Sequence, residues 1–423
     1  MPSVASLVRP RLVRDRLTVG LYTPFVVWGW LLYSFNPSVP LLADELGVSA
    51  AQAGLHGTAM AVGGLVAAPV TPRAVRRAGR RGTAVGATLL VALGVAALLL
   101  GPTLPWTLAG MLVTAFGGNV MIASSQVGLA QHTGPAASAA ITEANGVGSS
   151  VGLLGPLAVG ACVSLGWGWR PGVAVTIALA VLTAVVVGRL PHSVALPRRR
   201  GGAVAPADGV VEPAAGSVTT DDTARADEGG TAGRGPARLA AGLFLTCVVA
   251  AIGLENATTY WATDLVLSRT DAGAGIATAT TAGLVAGMSA MRFVVGPLSL
   301  RLHPAHLLGA SFGIALVGWA VLWTATDVRV ALVGLVVAGF GYGAQYPLSV
   351  SLLLAASPGQ GDRAQSRATL AGALAIGVAP FLLGALADAF GTHLAFLVVP
   401  VLAVLGGVVA FLGARVVQRP TVR

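Results

Sequence analysis

The sequence predicts an all-α membrane protein with twelve transmembrane helices in two six-helix bundles related by a parallel pseudo-repeat. The chain has 423 residues, of which 55% are hydrophobic and 10% charged, and its mean hydropathy is +0.80. A soluble protein of this length requires a more charged surface. Apolar stretches long enough to cross a bilayer recur on both sides of one polar stretch. All 26 basic residues are arginines, and they concentrate in alternate predicted loops.

The polar stretch covers residues 190–237 and is rich in Gly, Pro, Ala, Asp and Arg, with no apolar run. Such a composition cannot bury enough apolar surface to offset the entropy of ordering the chain. We therefore predict a disordered cytoplasmic linker at 190–237. It separates an N-terminal six-helix bundle at 1–189 from a C-terminal six-helix bundle at 238–423.

The apolar stretches define predicted segments 1 to 12, numbered along the chain. They are 18–41, 51–70, 83–101, 105–130, 136–165, 171–189, 238–264, 273–300, 305–324, 329–354, 364–388 and 393–416. Segment 1 contains Pro37 and Pro40, and proline inside a helix removes a hydrogen bond. We expect a kink there.

The arginines predict the orientation. If the N-terminus lies inside, 22 arginines fall in inner tails and loops and only three in outer loops. Cytoplasmic loops of membrane proteins carry such an excess. The sequence thus predicts a multi-pass plasma-membrane protein with both termini in the cytoplasm.

A shift of 224 residues aligns parts of the two halves. It places Pro156 on Pro380, Gly160 on Gly384 and Arg77 on Arg301. Two halves with the same number of helices and the same orientation are typical of a parallel repeat.

The absence of lysine excludes several function classes. A Walker A loop and a Schiff-base enzyme both require lysine, so we expect no nucleotide site. The arginines lie beside apolar segments, which argues against nucleic acid as a partner. Cys162 and Cys247 lie inside apolar stretches and are expected to be buried rather than metal ligands. We expect no cofactor and no metal.

Three charged residues lie more than five residues from either end of an apolar segment: Glu143, Glu255 and Arg292. A charge within the hydrocarbon region is costly unless it faces a cavity or a partner. We predict proton coupling through Glu255 and Glu143, and a gate or anion-binding role for Arg292 and Glu143. A structural ion pair, or a neutral glutamate bonded to a neighbouring helix, is the alternative.

Polar side chains also recur on one face of segments 1, 4, 7 and 10. Their spacing of three, four or seven residues is that of a helical face. These predicted cavity residues are Tyr33, Asn36, Asn119, Gln126, Asn256, Tyr260, Tyr342, Gln345 and Tyr346. Hydrogen bonding between helices is the alternative role for each of them.

The stretch PRAVRRAGRR at 72–81 resembles the G-x-x-x-D-R-x-G-R-R loop of the major facilitator superfamily. The matching residues are Arg77, Gly79, Arg80 and Arg81. Pro72 and Arg76 stand where the family has Gly and Asp. The resemblance covers all twelve segments and implies that segments 1, 4, 7 and 10 line a central cavity. It also implies that the loop at 72–81 takes part in the conformational change.

Segment 5 carries GLLGPLAVG, which is similar to the G-x-x-x-G-P signature of the antiporter branches. Its residues are Gly152, Gly155, Pro156 and Gly160, and close helix packing is the alternative reading. The resemblance also implies that segments 5 and 8 meet between the bundles. Glu143 and Arg292 lie at a similar depth, so we expect a bridge between them that gates the inner side.

The sequence therefore predicts a secondary active transporter that moves a small organic solute by alternating access, with proton coupling and efflux by antiport. A proton-coupled uptake symporter for a metabolite or organic anion is the alternative. A membrane-embedded enzyme or a non-transporting sensor is more distant, because no catalytic constellation and no soluble sensory domain is evident. The expected partners are the small-molecule substrate, protons and the lipid bilayer, and the expected state is a monomer that is not an enzyme.

Overall fold

The structure, a computed structural model, describes residues 12–190, 231–299, 301–358 and 360–418. These residues are helical and contain no strand. The α-helices are α1 (Arg16–Phe35), α2 (Val39–Leu46), α3 (Ala50–Leu100), α4 (Leu104–Thr133), α5 (Ala137–Gly152), α6 (Leu154–Ser164), α7 (Arg170–Gly188), α8 (Thr231–Arg269), α9 (Ala274–Thr280), α10 (Ala282–Ser299), α11 (Pro304–Thr324), α12 (Val328–Ala355), α13 (Gly361–Phe390), α14 (Thr392–Ala395) and α15 (Val398–Gln418).

The predicted segments correspond to these helices, and the all-α membrane fold is confirmed. Segments 1, 5, 8 and 12 are each two consecutive helices, and α3 contains both segments 2 and 3. Eleven helical stretches of the described chain are long and apolar enough to cross a membrane. The 51-residue α3 is one of them, and at 1.5 Å per residue it is about twice as long as one crossing requires.

Two local features explain where the helices break. Gly79 has φ 72° and ψ 164°, a conformation that only glycine adopts readily, and it divides α3 into its two membrane segments. Asn36–Ser38 form a 3₁₀ turn between α1 and α2. Pro37 in this turn cannot donate a backbone hydrogen bond, which fits an interruption of the helix within segment 1.

The two halves repeat their packing at the shift of 224 residues. A Cβ added to Gly110 would lie 2.5 Å from the backbone nitrogen of Leu98, and one added to Gly334 would lie 2.5 Å from that of Leu322. Helices in membranes approach closely where small residues meet. The equality of these two contacts supports the predicted parallel pseudo-repeat in three dimensions.

Two ends of the molecule can be distinguished. The terminal end carries the start of α1 and the end of α15, and the distal end carries the turns at 47–49, 101–103, 165–169, 270–273 and 325–327. The halves pack closely near the distal end. There the added Cβ of Gly54 would lie 2.7 Å from the Pro380 oxygen, and that of Gly160 would lie 2.4 Å from the Gly275 oxygen.

Most of the predicted linker at 190–237 lies outside the described residues. Its last part is helical, because α8 begins at Thr231. The helix α8 therefore begins seven residues before the predicted start of segment 7 at 238. The apolar run alone marked the start of segment 7, whereas the helix continues beyond it.

Candidate functional site

Two opposite charges predicted inside the membrane lie side by side in the C-terminal half. The Arg292 Nη2 atom in α10 is 4.0 Å from the Glu255 Oε1 atom in α8. Their side chains are 34% and 24% exposed, so neither is fully enclosed by protein. Each charge reduces the cost of placing the other within apolar helices.

Tyr33 in α1 joins this pair from the N-terminal half. Its side chain is buried, and its hydroxyl interacts with Arg292 and lies within electrostatic reach of Glu255. The Asn36 amide, one helical turn further on, donates to the Thr259 hydroxyl across the same interface at 3.4 Å. The site is thus formed by both halves.

The following turn of α8 connects the site to α12. Thr258 and Thr259 follow Glu255 by three and four residues, which places them on the same helical face. The Thr258 hydroxyl oxygen is 2.9 Å from the Tyr342 hydroxyl oxygen, and Tyr342 lies within electrostatic reach of Glu255. Tyr342 is therefore placed as the sequence predicts, beside the charged pair.

A small cleft lies between the halves next to Tyr33 and has room for about one water molecule. It is lined by Tyr33, Pro37, Pro156, Thr259, Thr281 and Val285. Its walls come from α1, α6, α8 and α10 and from the turns that adjoin them.

The segment 5 motif contributes mainly close packing. Added Cβ atoms would lie 2.6 Å from the Tyr33 ring at Gly152 and 2.9 Å from the Ser34 nitrogen at Gly155. Gly160 lies against the backbone of α9 in the other half. These contacts fit the packing alternative, while Pro156 also reaches the cleft.

Three predicted cavity amides donate to carbonyls in their own halves. Asn119 donates to Ala115 at 2.8 Å and Asn256 to Ile252 at 2.9 Å, each one turn back in the same helix. Gln345 donates to Ser311 of α11 at 3.4 Å. Each of these amides therefore has one backbone partner within its own half, and a role in solute binding stays a prediction.

The other predicted cavity residues differ in burial. Gln126 in α4 is buried, and Tyr346 in α12 is half-buried. Tyr260 is fully buried within the core, and its hydroxyl has no hydrogen-bond partner among the described residues. Tyr260 therefore lies on a different face of α8 from the one that carries Glu255.

Glu143 has a partner that the sequence did not indicate. The Arg14 Nε and Nη2 atoms donate to the two carboxylate oxygens of Glu143 at 2.6 and 2.7 Å. This bidentate bond raises the pKa of Arg14. In this conformation Glu143 binds Arg14 and Arg292 lies beside Glu255, so the expected Glu143–Arg292 bridge stays a prediction for another conformation.

The helices that carry Glu143 and Arg292 nevertheless meet. A Cβ added to Gly146, three residues after Glu143, would lie 3.6 Å from the ring of Phe293, which follows Arg292. This contact is between α5 and α10, as the resemblance implied for segments 5 and 8.

The arginine-rich stretch at 72–81 connects several helices of the N-terminal half. Arg80 donates to the Ser124 oxygen of α4 at 3.3 Å, and Arg81 donates to the Leu190 oxygen after α7 at 3.0 Å. Arg77 is exposed, and Gly79 provides the break in α3. The stretch therefore fixes the terminal ends of three helices relative to one another.

Asp388 was not singled out by the sequence, because an aspartate at a helix end is usually solvated. In the structure its two carboxylate oxygens accept the backbone N–H groups of Ala50 and Ala51 at 2.8 Å each. Asp388 belongs to α13 in the second half, and the two alanines begin α3 in the first. At the 224-residue shift Asp388 aligns with Ser164. A charged residue in one half that aligns with an uncharged residue in the other is the sequence signal that could have identified Asp388.

The comparisons with known proteins agree with this architecture. The family model described as Major Facilitator Superfamily matches residues 25–219 and 236–423. No curated protein matches the chain in sequence.

Solved structures share the fold at low sequence identity. A bacterial homologue of the human lysosomal transporter Spinster, inward-facing and unoccupied, has a TM-score of 0.71 and 16% identity over 95% of this chain and 96% of that one. The xylose transporter XylE of E. coli, partially occluded and inward open, has a TM-score of 0.68 and 14% identity over 96% and 98%. The E. coli fucose:proton symporter FucP has a TM-score of 0.55 and 16% identity over 95% and 99%.

Proposed function

Because the chain belongs to the major facilitator superfamily, a family of membrane transporters and not of enzymes, we propose that it moves a small organic solute by alternating access with protons as the coupling ion. The observation that carries this proposal is the Glu255–Arg292 pair with Tyr33 beside it. Both side chains of the pair are partly exposed, and their neighbours belong to both halves.

Proton coupling follows from the chemistry of the pair. A proton bound to Glu255 removes the negative charge that faces Arg292 and leaves the cavity with one positive charge. The solute then meets a different electrostatic environment before and after protonation. Tyr33 is well placed to respond, since it contacts the pair from the half that moves relative to it.

Efflux by proton antiport is our first assignment of direction, from the segment 5 signature. Uptake of an organic anion with protons is the second, and Arg292 favours it, because a guanidinium binds carboxylates in a bidentate manner. In that case the solute carboxylate replaces Glu255 as the partner of Arg292 once Glu255 is protonated.

Glu143 and Arg292 form a gate by exchanging partners. In the conformation described, Glu143 binds Arg14 and the halves are in contact near the distal end. Rocking of the halves towards the terminal end brings α5 and α10 closer there. We infer that Glu143 then releases Arg14 and binds Arg292, which closes the terminal side.

The remaining assignments follow from the sequence. The arginine asymmetry assigns the terminal end to the cytoplasm and the protein to the plasma membrane. The linker at 190–237 joins the two halves on the cytoplasmic side, and the protein acts as a monomer.

Flux in proteoliposomes tests the proposal. Purified protein is reconstituted with pyranine inside the vesicles, and panels of organic anions, cations and neutral solutes are added under an imposed pH gradient. We expect solute-dependent proton movement, whose direction separates antiport from symport. Solute flux that is unaffected by the pH gradient would refute proton coupling, and a lack of flux for every class would refute transport of these solutes.

A further inference from the structure

The first turn of α3 has more backbone donors than its own capping residues can satisfy. Ser49 and Gln52 form a capping box, in which the Gln52 N–H donates to the Ser49 hydroxyl and the Ser49 N–H donates to the Gln52 side chain. The N–H groups of Ala50 and Ala51 are left over, as expected at a helix start. Asp388 accepts both of them.

The two bonds join the halves of the protein. Ala50 and Ala51 begin α3 in the first half, and Asp388 lies near the end of α13 in the second. A carboxylate at a helix N-terminus is favoured both by charge-assisted hydrogen bonds and by the helix dipole. The contact is possible only while the distal ends of α3 and α13 are together, so separation of the halves there breaks both hydrogen bonds. Asp388 is exposed and the two alanines are half-buried in the closed arrangement.

The equivalent crossing in the repeat lacks this carboxylate. The residue 224 positions before Asp388 is Ser164 in α6, which packs against the start of α9. The backbones approach equally at both crossings, since a Cβ added to Gly384 would lie 2.5 Å from the Ala50 oxygen and one added to Gly160 would lie 2.4 Å from the Gly275 oxygen. Close packing of such a crossing therefore does not require an aspartate.

We propose that Asp388 is a positioning residue that holds the distal end closed and thereby sets the ratio of distal-closed to distal-open molecules. It acts through the start of α3 and touches no solute. The proposal rests on the alternating access of the proposed function. In the absence of solute, the Asp388 carboxylate then controls which side of the membrane the transporter opens to.

The test measures the separation of the distal ends. Thr103 and Thr326 are exposed and lie in distal turns of opposite halves, and the Thr103 side chain makes no capping bond to α4. Both are changed to Cys and spin-labelled, with Cys162 and Cys247 changed to Ala, and the distance distribution is recorded in lipid nanodiscs. Asp388→Asn keeps the size of the side chain and removes its charge. We expect the ratio of long to short distances to rise about two- to fivefold, which corresponds to roughly 0.4–1.0 kcal/mol.

Asp327→Asn is the matched control. Asp327 also lies at the distal end and accepts a helix-start N–H, that of Arg329 at 2.7 Å, but both residues belong to the second half. It should leave the distance distribution unchanged. A shift of equal size in both variants, or none in Asp388→Asn, would overturn the proposal.

Ala50→Pro tests the other partner of the bond. It removes one donor at the first helical position, where proline is favoured, and the preceding Ser49 has φ −70° and ψ 160°, which suits a residue before proline. We expect a smaller shift in the same direction, and no shift would count against the proposal. These distances are recorded without solute or gradient, so a failure of the flux experiment and a failure of this one are distinguishable.

Discussion

The Arg14 guanidinium donates to both carboxylate oxygens of Glu143 and so joins the residues before α1 to α5 within the first half. The Arg14 side chain is 62% exposed and that of Glu143 28%. Water and salt therefore screen the pair, and its contribution to stability is small. Breaking an exposed ion pair and forming another one costs little free energy. A gate that works by exchange of partners requires this.

Removal of Arg14 and removal of Arg292 should shift the conformation in opposite directions. Arg14→Gln frees Glu143 to bind Arg292, so the distances between residues 103 and 326 should lengthen. Arg292→Gln removes the partner that Glu143 requires in the distal-open state, so the distances should shorten. Each shift should change the ratio of the two populations about threefold, as expected for a screened pair. Shifts in the same direction would contradict the exchange of partners.

A charge exchange provides a second measure of this gate. Glu143→Arg combined with Arg292→Glu should recover part of the solute flux that either single change removes, because the opposite charges are retained on α5 and α10. Flux no higher than that of the worse single variant would exclude the pair. The experiment uses the same proteoliposomes as the transport assay.

Glu255→Gln should abolish gradient-driven accumulation of solute while the protein remains folded. The change keeps the shape and hydrogen bonding of the side chain and removes its proton exchange. Glu45→Gln is the control, since Glu45 is a carboxylate at the distal end that binds Trp169 and Arg170. Wild-type accumulation by Glu255→Gln at both pH 6 and pH 8 would show that the coupling group lies elsewhere.

The close contacts at Gly110 and Gly334 should be equally sensitive to substitution. Gly110→Ala and Gly334→Ala each place a Cβ 2.5 Å from a backbone nitrogen, and overpacking of this kind costs about 1–3 kcal/mol. The apparent melting temperatures in detergent should fall by similar amounts. Gly309→Ala in α11, where an added Cβ meets nothing within 4 Å, should be neutral. Very different losses at 110 and 334 would mean that the two contacts are not equivalent in the two halves.

Labelling in whole cells tests the orientation. An impermeant thiol reagent should modify Thr326→Cys, which lies in a distal turn, and should not modify Ser217→Cys in the linker until the cells are opened. Both variants are made with Cys162 and Cys247 changed to Ala. Labelling of residue 217 in intact cells would invert the assignment of the two ends.

The fold was largely predictable because its signals are local in sequence. The thickness of the bilayer sets the length of the apolar stretches, and the orientation of the chain in the membrane sets the positions of the arginines. The repeat is visible in matches such as Pro156 with Pro380. Gly79 was recognised as part of a motif, but the long helix that it divides was not predicted. The arginine-rich stretch at 72–81 predicts a loop, but the turn needs only the single non-helical residue Gly79, and the residues on either side of it stay helical.

The site was predictable only in part. Glu255 and Arg292 stood out because ionisable residues are costly within apolar segments. The partner of Glu143 did not, since Arg14 lies in a tail whose path over the helices has no signature in sequence. The role of Asp388 could not be predicted for a related reason. Its hydrogen bonds are to backbone N–H groups more than 300 residues away, and a backbone N–H has no residue-specific signal in the sequence.

The single-residue break at Gly79 has a mechanical consequence. The first part of α3 touches the second half near Gly54, and its last part packs on α4 near Gly110. Because only one non-helical residue separates these two parts, movement of the first part at its distal contact also moves the second part. The first half should therefore tilt as one rigid body. The contacts that break and form during the transition should be those between the two halves, not those among the helices of the first half.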